Sequence, residues 1–92
     1  MAADTKKMQQ EKYMHAKLQF EYDRSADTLY INKLPPYPEQ EPAEIEYGVI
    51  ARLNPTTGEI ENLEILFFSK RLFEKPLLEL PLIADFHFAP TA

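Results

Sequence analysis

Asp23, Ser25 and Asp27 stand at alternate positions, the spacing with which hard oxygen donors open a calcium-binding loop. The rest of that loop is missing. Thr28 occupies the place of its glycine and Leu34 the place of its bidentate glutamate. The bland alternative is a capped turn, because Asp and Ser side chains accept bonds from backbone N–H groups two residues on. His15 and His87 are the only histidines and there is no cysteine. A metal site would therefore need carboxylates beside them, Asp85 being on the same side of an extended strand as His87, or ligands from a second copy. Candidates for proton transfer are Glu64, inside a strand pattern, and the Asp23 and Asp27 pair. The two glycines, Gly48 and Gly58, leave no glycine-rich phosphate loop and no nucleophile elbow. No catalytic residue, cofactor or metal is expected. Tyr22, Tyr30, Tyr37 and Tyr47 pair an apolar body with a polar tip, and Tyr30 and Tyr47 are the candidates for a ligand surface; on strands such residues equally serve as core edge or interface.

The elements that would position these groups follow from periodicity. Asp4 to Ala16 has good helix formers, a cap candidate in Asp4 or Thr5, and neither Gly nor Pro, which predicts an N-terminal helix. Leu18, Phe20 and Tyr22 alternate with polar residues as a first strand, and Thr28 to Leu34 is rich in β-formers as a second. Asp23 to Asp27 between them is a turn. Pro35 to Pro42 contains four prolines and predicts an extended acidic loop outside any ladder. Ile45, Tyr47, Val49, Ala51 and Leu53 alternate as one third strand. Asn54, Pro55 and Gly58 then supply a hairpin turn, and Ile60 to Phe68 a fourth strand. Ser69 reads as the cap of a short helix, Lys70 to Lys75, stopped before Pro76. In the tail, Leu78, Leu80, Leu82, Ala84, Phe86 and Phe88 fill every even position, the pattern of an extended arm or edge strand. The expected fold is α+β. Its centre is a four-stranded antiparallel sheet, a meander of two hairpins, with a short helix after strand four. One domain covers 1–92, divided into a helix candidate at 1–17, a sheet core at 18–75 and an arm at 76–92.

Tyr22-Asp23, Ala26-Asp27 and Leu29-Tyr30-Ile31, followed by Gly48-Val49-Ile50, Gly58-Glu59-Ile60 and Asn62-Leu63-Glu64-Ile65-Leu66, resemble the pattern of a small prokaryotic family, domain of unknown function 2283. The resemblance covers about residues 18–72 and implies a shape with no established activity. Two departures stand out. Ala51, Arg52 and Asn54 lie where the family often carries acidic residues. Asn62 stands where glycine is usual, a replacement that a positive φ would tolerate.

Composition narrows the function. A net charge of -5 disfavours phosphate backbones, so no nucleic acid partner is expected. No apolar run reaches the ~18 residues needed to span a bilayer, and Met1 to Lys7 is not followed by the apolar core of a signal peptide. No membrane is expected. The absence of cysteine fits a cytoplasmic location. A domain of this length buries only about 60% of its unfolded surface, and Leu80, Leu82, Phe86 and Phe88 would leave an apolar face uncovered. The expectation is a non-catalytic, cytosolic interaction or accessory module that forms a homo-oligomer, most simply a homodimer, with room for an unidentified protein partner. The alternatives are a small-ligand or metal-binding regulator with its site at the subunit interface, and an enzyme with a composite site across the dimer.

Overall fold

The structure is a computed structural model and describes residues 17–90. The helix expected over Asp4 to Ala16, with His15, lies outside the described residues. Five strands form one antiparallel sheet: β1 (Gln19–Asp23), β2 (Thr28–Asn32), β3 (Glu41–Glu46), β4 (Val49–Leu53) and β5 (Ile60–Leu66). One helix, α1 (Phe68–Glu74), follows the last strand. The fold class is α+β as expected, with five strands in place of four.

The extra strand comes from Tyr47-Gly48. The run read as one third strand folds on itself there, and Gly48 takes φ 74° in a two-residue turn between β3 and β4. A side chain at positive φ is strained, and Gly carries none. The spatial order β1-β2-β5-β4-β3 is also no meander. Residues 33–40 carry the chain from β2 past two strand positions to the far edge, and β5 returns into the gap. Three inter-strand steps span about 14 Å, well within the roughly 26 Å that eight extended residues reach.

β2 ends at Asn32, short of Leu34, where the chain leaves the ladder for this crossing. Pro42, assigned to a loop on the strength of its missing N–H, lies inside β3. An edge strand tolerates it because the outward N–H would have no ladder partner. The arm supplies no strand: residues 75–90 are irregular, so the fifth strand is β3 and not the tail.

Register assigns the faces. Val49 pairs with Ile65, Ala51 with Leu63, Leu29 with Ile65 and Ile31 with Leu63, so these alternate residues share one apolar face that continues through Phe20 and Tyr22 on β1. Val49, Ala51 and Ile65 at its centre are fully buried. The opposite face carries Glu21, Tyr30, Glu64 and Arg52. Among the described residues four polar side chains, Thr28, Gln40, Glu61 and Asn62, are buried against three hydrophobic ones, so polar contacts must carry much of the specificity of this fold.

Candidate functional site

The densest constellation of polar groups sits where residues 33–40 cross the sheet end. Glu61, in β5, accepts bonds at Oε1 from the Tyr37 hydroxyl (2.6 Å) and Gln40 Nε2 (3.0 Å), and at Oε2 from Asn54 Nδ2 (3.1 Å). Its neighbour Asn62 accepts from Gln40 Nε2 at 2.6 Å and donates through Nδ2 to Asn32 Oδ1 (2.8 Å) and to the Leu34 carbonyl (2.7 Å). The Tyr37 N–H donates to Gln40 Oε1, which closes the loop on itself. These bonds tie the crossing loop to the sheet. Asn62 does not hold a positive φ. It replaces the family's glycine by using its side chain.

Burial pushes the Glu61 carboxyl up, but the bonds from Tyr37, Gln40 and Asn54, aided by the positive charge of Lys33, outweigh it and hold the group below its ordinary value. Tyr37 is pushed up to about 12, chiefly by its bond to Glu61 and then by burial. A raised folded value means that Tyr37's contribution is fully present below pH ~10 and lost as pH rises through about 12. A lowered Glu61 means stability present above its unfolded value near ~4.3 and lost as pH falls through the folded one. Spectrophotometric titration of the tyrosines should therefore show a last ionisation near 12 that Tyr37→Phe removes. Persistence of that step in Tyr37→Phe would refute the pairing.

A second hub is Asp27. The Asp23 carboxylate accepts the N–H groups of Ser25 (3.0 Å) and Ala26 (3.2 Å), and the chain then reverses through Asp27 at φ 50°. Asp27 Oδ1 accepts the Tyr22 hydroxyl (2.7 Å) and, from across the fold, the Ser69 N–H (2.9 Å), while its carbonyl accepts the Phe68 N–H. The bond from Tyr22 lowers the Asp27 pKa first, with the Ser69 N–H adding to it. Ser69 is thus not the helix cap. Phe67, left-handed at φ 57°, occupies that position without a side-chain bond, and a carboxylate 42 residues earlier serves the first turn. This hub joins the first hairpin to α1.

Asn54 Oδ1 accepts from Thr56 and Thr57, its carbonyl accepts the Gly58 N–H at 2.9 Å, and Gly58 has φ 74°, with Pro55 between them in the turn. Arg71 on α1 donates through Nε to the Leu66 carbonyl and through Nη2 to that of Tyr47, both at 2.7 Å. That guanidinium bridges the helix to the β3–β4 turn.

Tyr30 and Tyr47, the paired candidates for a ligand surface, are separated. Tyr30 is half-buried on the polar face, where with Glu21, Asn32, Pro36, Arg52 and Glu64 it lines an open cavity of about 350 Å³. Arg52 Nη2 and Glu64 Oε1 pair there at 3.2 Å. Tyr47 sits at the β3–β4 turn, mostly exposed and stacked on Phe67 at 6.1 Å. Among the described residues no three His, Asp or Glu side chains are placed to hold a metal ion. In the arm Leu80 and Leu82 are half-buried, whereas Phe86 and Phe88 are 79% and 104% exposed.

A family model described as protein of unknown function, DUF2283, matches residues 19–69, more than half of the chain. The chain belongs to the DUF2283 family. The match begins with β1 and ends at Ser69, the second residue of α1, so the Asp27 hub, the Glu61 and Asn62 network and the β3–β4 turn all fall inside the DUF2283 unit. The arm falls outside it. No curated protein and no solved structure matches the chain.

The network partners lie beyond sequence reasoning of the kind above, because Gln40 meets Glu61 and Asn62 across 21 and 22 residues. The one available signal was the pair Glu61-Asn62 itself, two adjacent polar residues that break the alternation of β5 after Ile60. Among the described residues no helix is long and apolar enough to cross a membrane.

Proposed function

We propose that this chain is a non-catalytic cytosolic interaction module that works as a homo-oligomer. The observation that carries the proposal is the disposition of the arm, where Ile83, Phe86 and Phe88 are 79–104% exposed beyond the family unit. Leaving each in water is unfavourable by roughly 1.5–3 kcal/mol, and contiguous apolar exposure of this kind marks contact surfaces. The conspicuous polar clusters, by contrast, are occupied in tying loop, hairpin and helix together.

Light scattering on the intact chain and on Phe86→Ser/Phe88→Ser tests the proposal. The intact chain should scatter as a dimer or larger, and the variant, whose replaced side chains cover nothing in the single chain, should be a folded monomer. A monomeric intact chain at high micromolar concentration would overturn it.

The cavity beside Tyr30 favours the second reading, a small-ligand or metal-binding regulator. Millimolar calcium or zinc should leave the melting temperature unchanged, since specific binding to the folded state raises it by mass action. A rise that EDTA reverses would move the assignment to the regulator.

A further inference from the structure

We infer that the arm of one chain docks on the open edge of a second copy's sheet, beside β1, and that the exchange is reciprocal. This rests on the self-association proposed above and names its surface. The two edges of the sheet differ. β3 is blunted by Pro42, by an irregularity between Glu44 and Glu46, and by the charge of Glu41, Glu44 and Glu46, devices that discourage strand addition.

β1 has no proline and no register irregularity, and its charges are only Glu21 and Asp23. Among the described residues it pairs on one side alone, with β2, and all five of its residues are exposed. Leu18, Phe20 and Tyr22 sit on the apolar face and are 43%, 62% and 43% exposed. An edge with free backbone groups and an apolar flank accepts an extended segment with the same alternation.

The arm is such a segment. Leu82 to Ala89 contains no proline, and Ala84, Phe86 and Phe88 lie on one side when it is extended. Packing Phe86 and Phe88 beside Phe20 and Tyr22 would extend the apolar face by one strand.

The arm does not reach its own sheet in this way. The molecule measures 51 × 27 × 24 Å with a radius of gyration of 15.4 Å, against about 12 Å for a compact domain of this length. A second copy is the occupant that accounts for both surfaces at once, since each chain carries one arm and one open edge. The area suffices. Four phenylalanines from two arms remove roughly 700 Å² from water, and the receiving side chains and backbone bring the total past the ~1,200 Å² of a stable interface.

Complementation between two defective chains is the test. Phe20→Lys spoils the edge and leaves the arm; Phe86→Ser/Phe88→Ser spoils the arm and leaves the edge. Both replace exposed side chains, and matching circular dichroism melts establish that both fold. Sedimentation should find each variant monomeric alone and an equimolar mixture forming a 1:1 heterodimer, weaker than the parent because one of two contacts survives. If the intact chain dimerises and Phe20→Lys still does, the edge is not the receiver and only this inference falls. If both variants are monomeric but the mixture stays monomeric, arm and edge do not meet. If the intact chain is itself monomeric, the self-association it rests on falls with it.

Discussion

Asn62→Leu should be the most damaging single substitution in the sheet, lowering stability by about 3 kcal/mol or more. The side chain is buried and makes three bonds: it accepts from Gln40 and donates to Asn32 and to the Leu34 carbonyl. A leucine fills similar volume but strips Asn32 and the Leu34 carbonyl of that donor and leaves Gln40 Nε2 only its bond to Glu61, at roughly 1–3 kcal/mol for each lost partner. For a domain of this size that corresponds to a fall in melting temperature of about 12–24 °C. The Gln40→Leu/Asn62→Leu double variant should lose less than the sum of the single ones, because the Gln40–Asn62 bond that each single variant removes can be lost only once. Additive losses in thermal or urea unfolding would mean that the two side chains act independently.

Gly48→Ala should cost about 2–3 kcal/mol. Alanine at φ 74° is strained by roughly 1–2 kcal/mol on its own. Its Cβ would also fall 2.5 Å from Arg71 Nη2, the atom that bonds the Tyr47 carbonyl, so the guanidinium must shift and that bond is weakened. Gly58 provides the comparison. It has the same φ but nothing within 4 Å of a Cβ, so Gly58→Val should show the backbone strain alone, about 1–2 kcal/mol. Arg71→Ala should erase the difference between alanine at the two glycine positions. Equal costs at both glycines in the presence of Arg71 would contradict the clamp.

The contrast between these glycines also explains what could be read in the sequence. The turn at Gly58 announces itself, because Asn54, Pro55 and Gly58 interrupt the apolar alternation with residues that favour reversal. The turn at Gly48 is two residues long and pairs Glu46 with Val49, an odd step, but the register shift between Glu44 and Glu46 adds one residue and brings Ala43 opposite Ala51, an even step that keeps the period-two pattern unbroken. Ile45, Tyr47, Val49, Ala51 and Leu53 therefore read straight through it as one strand. Once that strand is taken as single, the path from β2 to the far edge disappears and the sheet becomes a meander.

Asp27 illustrates the other limit. Its place in a turn was legible from local chemistry, as was the short helix ending before Pro76. Its carboxylate's service to the Ser69 N–H was not, because a side chain can cap a helix from any element the fold brings close, and Ser69 offered a nearer candidate. The arm is the reverse case. Its alternation was plain, yet it joins no strand of its own chain, which is what would be expected of a segment patterned for a surface elsewhere.

Sedimentation velocity of the intact chain over a wide concentration range addresses the central claim most directly. The arm's exposed phenylalanines predict a dimer or larger species that dissociates to monomer on dilution. A single monomeric boundary persisting to high micromolar concentration would contradict it, leaving the arm as an exposed tail and the interaction reading without its support.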